Sequence, residues 1–266
     1  MTDGKCKLCL AEHVTINDSH IIPKWVFKRL NDDDLKNSIP IGISGNYAKS
    51  DSKQYTDYLL CDSCEARIKV FEDFVSKVAY NQNGKSDFIK DRTFIEKDSY
   101  PSFKIYPLNE ILPENFYKFG LSVLWRASVS KRERYKSIDL GIQYNTLSRL
   151  CLLEKNNLPK NIVILCYLYL QKDNDDNVFT KLIDFPKPSH DKKAFGHRYF
   201  FTVCGLFFAI FVGNTIPDDI KRLSINCFNH LLQTNDERYI KAEQLISDIK
   251  SSKLSKKLAK KNLCKI

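Results

Sequence analysis

Two cysteine pairs, Cys6-Lys7-Leu8-Cys9 and Cys61-Asp62-Ser63-Cys64, constrain the fold of this chain more than any other feature. A C-x-x-C loop folds back so that two thiolates can share one metal ion. Two such loops complete a tetrahedral four-thiolate site, the closed arrangement typical of structural zinc. A single pair would fit a redox motif equally well, but neither pair here follows a β-α-β start. Cys6, Cys9, Cys61 and Cys64 are therefore expected to hold one zinc ion, with His20 lying between the two loops in sequence. His13, four residues after Cys9, is a substitute ligand by spacing, though a histidine so placed is more often exposed.

Of the 9 cysteines, Cys151, Cys166, Cys204, Cys227 and Cys264 are scattered, and an odd remainder argues against a disulfide framework. A reducing, cytoplasmic setting is expected. The first ten residues are polar and carry ligands, so they do not read as a signal peptide. The apolar stretch Tyr199 to Val212 is too short to cross a bilayer, and no transmembrane segment is expected. Hydrophobic residues make up 43% of the 266, enough for a substantial core. A net charge of +10 favours polyanionic partners, nucleic acid first and anionic membrane second. Lysine-rich composition also serves solubility alone.

In chain order, residues 1–16 read as the first metal loop, with little regular structure. A short strand is expected over residues 17–22, then a helix opened by Pro23 and running to Leu30. Lys36 to Lys53 is rich in glycine and serine and reads as a loop or irregular hairpin. Tyr55 to Leu60 reads as a strand leading into Cys61, followed by a helix to about Tyr80 whose Ile68, Phe71, Val75 and Val78 form one apolar stripe. Asn81 to Lys85 is turn-rich and marks a boundary between residues 1–83 and 84–266.

Beyond it, strands are expected at Phe103–Tyr106, Asn161–Leu170 and Val178–Phe185, with a polar loop opening at Pro186-Lys187-Pro188. Arg198–Val203 and Leu206–Val212 flank Cys204-Gly205 as an antiparallel hairpin. Helices are expected from Pro113 to about Ser130, over Asn145–Leu153, and from Asp236 towards residue 260. The whole is α+β: a zinc-binding first unit, then a mixed unit with about four strands and three or four helices.

The order Cys-x-x-Cys, then Ser19-His20-Ile21-Ile22-Pro23, then Leu60-Cys61-x-x-Cys64 opening a helix resembles the zinc-bearing HNH endonucleases over about residues 1–80. The wider pattern, with Leu124-Trp125-Arg126-Ala127-Ser128-Val129-Ser130, also looks like a group of bacterial HNH-like proteins. The resemblance implies a ββα-metal, treble-clef finger and metal-dependent hydrolysis of phosphodiester bonds, in DNA first. Restriction or phage defence is the setting the family implies. His20 then takes the role of general base, as a neutral imidazole suits at physiological pH. A catalytic Mg²⁺ or Mn²⁺ would neutralise charge on the phosphate.

Ser19 stands where that family has an Asp or His ligand, and Glu65 where it has a His or Asn. A carboxylate suits either cation. Thr56 or Asp57 replaces the middle Asn, and Asp57 is expected to orient His20. Asp18 shares a strand face with His20 and is placed to compensate for Ser19.

A different outcome is a non-catalytic zinc module that binds nucleic acid or a protein partner. The lysine-rich end, seven lysines from Lys250 to Lys265 with no acid, is a candidate phosphate-tracking segment through Lys256, Lys257, Lys260 and Lys261. It also suits an anionic membrane surface or a solvated tail. Residues 84–266 are expected to select the substrate or hold a protein partner. Self-association stays open, with no heptad seam to support it. Arg126, in an apolar helix, needs a buried carboxylate or a phosphate, and the buried pair is favoured.

Overall fold

The computed structural model describes residues 2–32, 41–44, 47–50, 54–79, 104–107, 113–154, 158–168, 183–189, 196–225 and 230–233. The expected boundary at Asn81–Lys85, the helix from Asp236, and the tail with Lys256, Lys257, Lys260 and Lys261 lie outside them.

The fold is mixed α+β with antiparallel sheets. The first half carries a three-stranded sheet of order β1-β2-β5, from β1 (Thr2–Gly4), β2 (Val14–His20) and β5 (Thr56–Leu60). Between β2 and β5 lie α1 (Lys24–Asp32) and a small hairpin of β3 (Ile41–Ser44) and β4 (Tyr47–Ser50). Pro23 precedes α1, where a missing amide hydrogen costs nothing. The short β1 was not expected. Its three residues pair with the start of β2, closing the first cysteine loop from outside.

α2 (Asp62–Ala79) starts one residue after Cys61, with Asp62 and Glu65 in its first turn, where acidic side chains favour the helix dipole. Its stripe of Ile68, Phe71 and Val75 is buried as expected.

The second half is built on a six-stranded sheet of order β6-β11-β7-β10-β9-β8. Its strands are β6 (Lys104–Pro107), β7 (Ile162–Leu168), β8 (Ile183–Pro188), β9 (His197–Val203), β10 (Leu206–Val212) and β11 (His230–Gln233). Among the described residues, only the β11–β7 pairing is parallel. Six strands exceed the four expected. β11 is a four-residue strand whose pairing partners, in β6 and β7, are remote in sequence, so no local pattern marks it.

β8 shows where proline misleads. Pro186 and Pro188 suggested a loop, yet both belong to the strand. β8 is the sheet edge, where a missing amide hydrogen can face away from the ladder, and its register shifts between Asp184 and Lys187.

The hairpin at Cys204-Gly205 forms as expected. Val203 faces Leu206, and both turn residues have positive φ, 48° and 80°, as a tight two-residue turn with right-handed strand twist requires. β7 is an interior strand, and its unbroken apolar run has a simple cause. Ile162, Ile164 and Cys166 face the main core, while Val163 and Leu165 join Ala209, Phe211, Ile216 and Leu223 under the segment carrying α5 (Asp218–Arg222). Both faces are covered, so alternation is lost.

α3 (Pro113–Val129) runs through the middle, with every side chain from Phe116 to Ala127 buried. It packs on α2, on α4 (Gly141–Leu153) and on the sheet. Gly120 permits the close approach, since a Cβ there would lie 2.9 Å from the Phe208 ring. Gly120→Ala is expected to destabilise by about 1–3 kcal/mol, the usual cost of overpacking. Urea titration checks this, and an unchanged midpoint would show that the ring gives way freely.

One core joins the two halves, from Cys6, Leu8 and Ile16 through Phe119 and Trp125 to Phe201 and Phe208. Arginines stitch the same boundary. Arg67 donates to the Leu153 carbonyl (2.7 Å) and Arg149 to the Leu8 carbonyl (3.1 Å).

Candidate metal centre

Each cysteine loop is shaped by its own backbone. In the first, the Cys6 amide donates to the Ala11 carbonyl (2.9 Å) and the Leu10 amide to the Cys6 carbonyl (3.0 Å). Leu10 and His13 take positive φ to close it. In the second, the Cys64 and Glu65 amides both donate to the Cys61 carbonyl, so the loop is also the first turn of α2. The Lys7 amide donates to the Leu59 carbonyl (2.8 Å), holding the first loop against β5 just before the second begins.

The result is convergence. The four sulfurs of Cys6, Cys9, Cys61 and Cys64 all lie within 4.8 Å of one another, and Cys9 and Cys61 are 3.7 Å apart. A tetrahedron with metal–sulfur bonds of about 2.3 Å has edges of about 3.8 Å. The Cys61 amide lies 3.4 Å from the Cys6 sulfur, and the Ser63 hydroxyl lies 3.2 Å from the Cys61 sulfur. Such contacts favour thiolates.

Burial alone would raise the Cys61 thiol, but hydrogen bonds from Ser63 and the Cys64 amide bring it down to about 6. Burial, joined by its sulfur neighbours, pushes Cys64 up, and burial also raises Cys6. Crowded thiols that oppose one another's ionisation are what a dication relieves, so the four sulfurs fit a metal ion. His13 is exposed and beside Asp3. The other described cysteines are dispersed. Burial pushes the Cys151 thiol up to about 12 and also raises Cys166, which leaves both poor ligands.

The residues expected around a second cation divide between two sides of β2. Ser19 pairs across the sheet with Asp57, and His20 with Thr56. Asp18 is exposed and accepts the Thr56 hydroxyl (2.9 Å); the half-buried His20 has its Nε2 2.9 Å from the Gln54 side-chain oxygen. Asp18 and His20 thus share the outer side, as alternation requires.

Ser19 is buried and donates to the Glu65 carboxylate. Asp57 is directed elsewhere. One oxygen accepts the Tyr58 amide, and the other accepts the Ser130 hydroxyl (2.9 Å) and the Lys131 amide (2.7 Å). The structure puts Asp18 on the same strand side as His20 and bonds Ser19 to Glu65, but it ties Asp57 to the turn after α3. Among the described residues, the sulfur cluster is the one group of three or more metal-ligating side chains close enough to share an ion.

Arg126 finds its carboxylate. Its guanidinium donates to Glu72 (2.7 Å), to the His20 carbonyl (2.6 Å) and to the Ser122 carbonyl (3.3 Å). Burial pushes the Glu72 carboxyl up, against the pull of Arg126. The sequence marks Arg126 as needing a partner, but Glu72 lies on another helix with nothing local to single it out. Also missed was the basic turn Lys131–Lys136, which packs beside β5; four cations in six residues were its signal.

A separate cleft of about 700 Å³ opens between the start of α4 and strands β8 and β9, lined by Asp139, Tyr144, Ser189, His197 and Arg198 among others. None of the site residues expected from sequence lies in it. No helix among the described residues is long and apolar enough to cross a membrane. Comparison with protein-family models, with curated proteins and with solved structures finds no match to this chain.

Proposed function

We propose that Cys6, Cys9, Cys61 and Cys64 hold a structural zinc ion, that residues 2–79 act as a treble-clef ββα finger, and that this finger hydrolyses phosphodiester bonds in nucleic acid as the HNH endonucleases do. The observation that carries the reading is the position of His20. It lies on the outer side of β2 opposite Thr56, and among the described residues its Nε2 meets the exposed Gln54 side chain, which substrate can displace.

His20 takes a proton from water as the water oxygen attacks phosphorus, and the bridging oxygen leaves. Arg126 fixes the backbone beneath the ring through the His20 carbonyl. A bound Mg²⁺ or Mn²⁺ would supply charge neutralisation at the phosphate. Such ions often take only one or two carboxylates and complete their shell from substrate phosphates and water. Asp18 is the exposed carboxylate beside His20, and Glu65 would contribute if its bond to Ser19 opened.

Purified protein is expected to nick plasmid DNA in Mn²⁺, and His20→Ala to lower the rate by about 10²–10⁴-fold, the usual contribution of a general base. Equal cutting by His20→Ala would remove the histidine from the reaction.

A second reading, a non-catalytic zinc module, is favoured by one observation. Ser19 and Glu65 satisfy each other, and Asp57 is engaged elsewhere. Calorimetry with Mn²⁺ separates the two. The hydrolase binds a second divalent ion in the presence of DNA, and the module does not.

A further inference from the structure

The turn Lys131-Arg132-Glu133-Arg134-Tyr135-Lys136 follows α3. It is held in place at several points. The Lys131 amide donates to Asp57, and the Arg132 amide to the Ser130 hydroxyl (3.1 Å). Arg132 Nε donates to the Thr56 carbonyl (2.5 Å). Tyr135 is buried, its ring edge-on to Tyr55. The Arg134 guanidinium lies over the Tyr55 and Phe185 rings, 5.0 and 4.0 Å from their centroids.

Thr56 is the cross-strand partner of His20. The turn therefore sets Arg132 one strand away from the imidazole. Lys131, Arg132, Arg134 and Lys136 outnumber the single acid, Glu133, which is paired with Lys136. The exposed Lys131 ammonium makes no ion pair among the described residues. A turn whose backbone is fixed at Asp57 and Thr56 can meet a polyanion without first being ordered.

We propose that Lys131 and Arg132 contact the phosphodiester backbone of the DNA presented to His20, so that this turn is the electrostatic docking surface of the finger. The proposal rests on the hydrolase reading of His20, whose cross-strand neighbour Thr56 holds Arg132 through its carbonyl. The contact is to phosphate, so it sets register and affinity but not sequence preference.

The test is fluorescence anisotropy of the full chain with a short labelled DNA duplex across a salt titration, beside plasmid nicking in Mn²⁺. Lys131→Gln/Arg132→Gln is expected to lower the slope of log K against log salt by about 2, since each phosphate contact contributes about 0.9. His20→Ala is expected to keep the wild-type slope while losing nicking. Lys131→Glu alone alters an exposed side chain and guards against a folding artefact; it should weaken binding with an unchanged circular dichroism spectrum.

If wild type binds and both turn variants keep its slope, the docking surface is wrong and the role of His20 stands. If wild type fails to bind the duplex at low salt, the surface and the hydrolase reading fall together. If His20→Ala nicks as well as wild type while the turn variants still lose slope, His20 leaves the reaction and the phosphate-contacting turn remains.

Discussion

A Cys61→Ser/Cys64→Ser variant is expected to purify without bound metal and without a folded first half. The reason is one of magnitude. A four-thiolate zinc site contributes apparent binding free energies of about 10–16 kcal/mol in zinc-finger peptides. Whole domains are stable by only about 5–15 kcal/mol. The first cysteine loop has little regular structure, and its Lys7–Leu59 contact with β5 depends on its staying closed. Loss of protection in hydrogen exchange across residues 2–79, with metal content near zero, is the expected measurement.

Cys151→Ala is the control. That buried thiol is held protonated and lies outside the cluster, so its loss should leave the metal in place. A double serine variant that kept its fold would show that the sulfurs merely pack.

Arg126→Met should cost about 3–5 kcal/mol, because it leaves the Glu72 carboxylate uncompensated in a buried site. It also removes the donor that the guanidinium supplies to the His20 carbonyl. Lysine is a poor substitute, since one ammonium cannot span these acceptors in a fixed fork. Arg126→Met/Glu72→Leu should recover most of the loss, as apolar replacements of buried pairs commonly do.

The pH dependence has a definite sign. Folding already raises the Glu72 carboxyl above its ordinary value, and removing Arg126 raises it further. A raised acid contributes stability that is fully present below its unfolded value and is lost as pH rises through the folded one. The deficit of Arg126→Met should therefore shrink at acid pH and grow towards neutrality. Urea midpoints at several pH values check both claims, and a deficit under 1 kcal/mol at neutral pH would contradict them.

These two sites also show what a single sequence reveals. The four sulfurs could be grouped before any fold was known, because C-x-x-C spacing is a local demand of metal binding. The helix after Cys61, the buried course of α3 and the Cys204-Gly205 turn were legible for the same reason, each resting on spacing within a few residues. What failed was long-range or positional. Pro186 and Pro188 belong to a strand because β8 is an edge, and edge position is a property of the whole sheet.

Asp57 was expected to orient His20 because it is near in sequence to the expected position. It is taken instead by Ser130 and the Lys131 amide, more than seventy residues away. Arg126 and Glu72 are each recognisable as groups needing a partner, but only the packing of α2 on α3 pairs them.

The most direct test of the account is X-ray absorption at the zinc edge of protein purified without added chelator. The account predicts one zinc per chain with four sulfur neighbours at about 2.3 Å and no nitrogen or oxygen neighbour in the first shell. Protein without zinc, or a shell with fewer than four sulfurs, would contradict it.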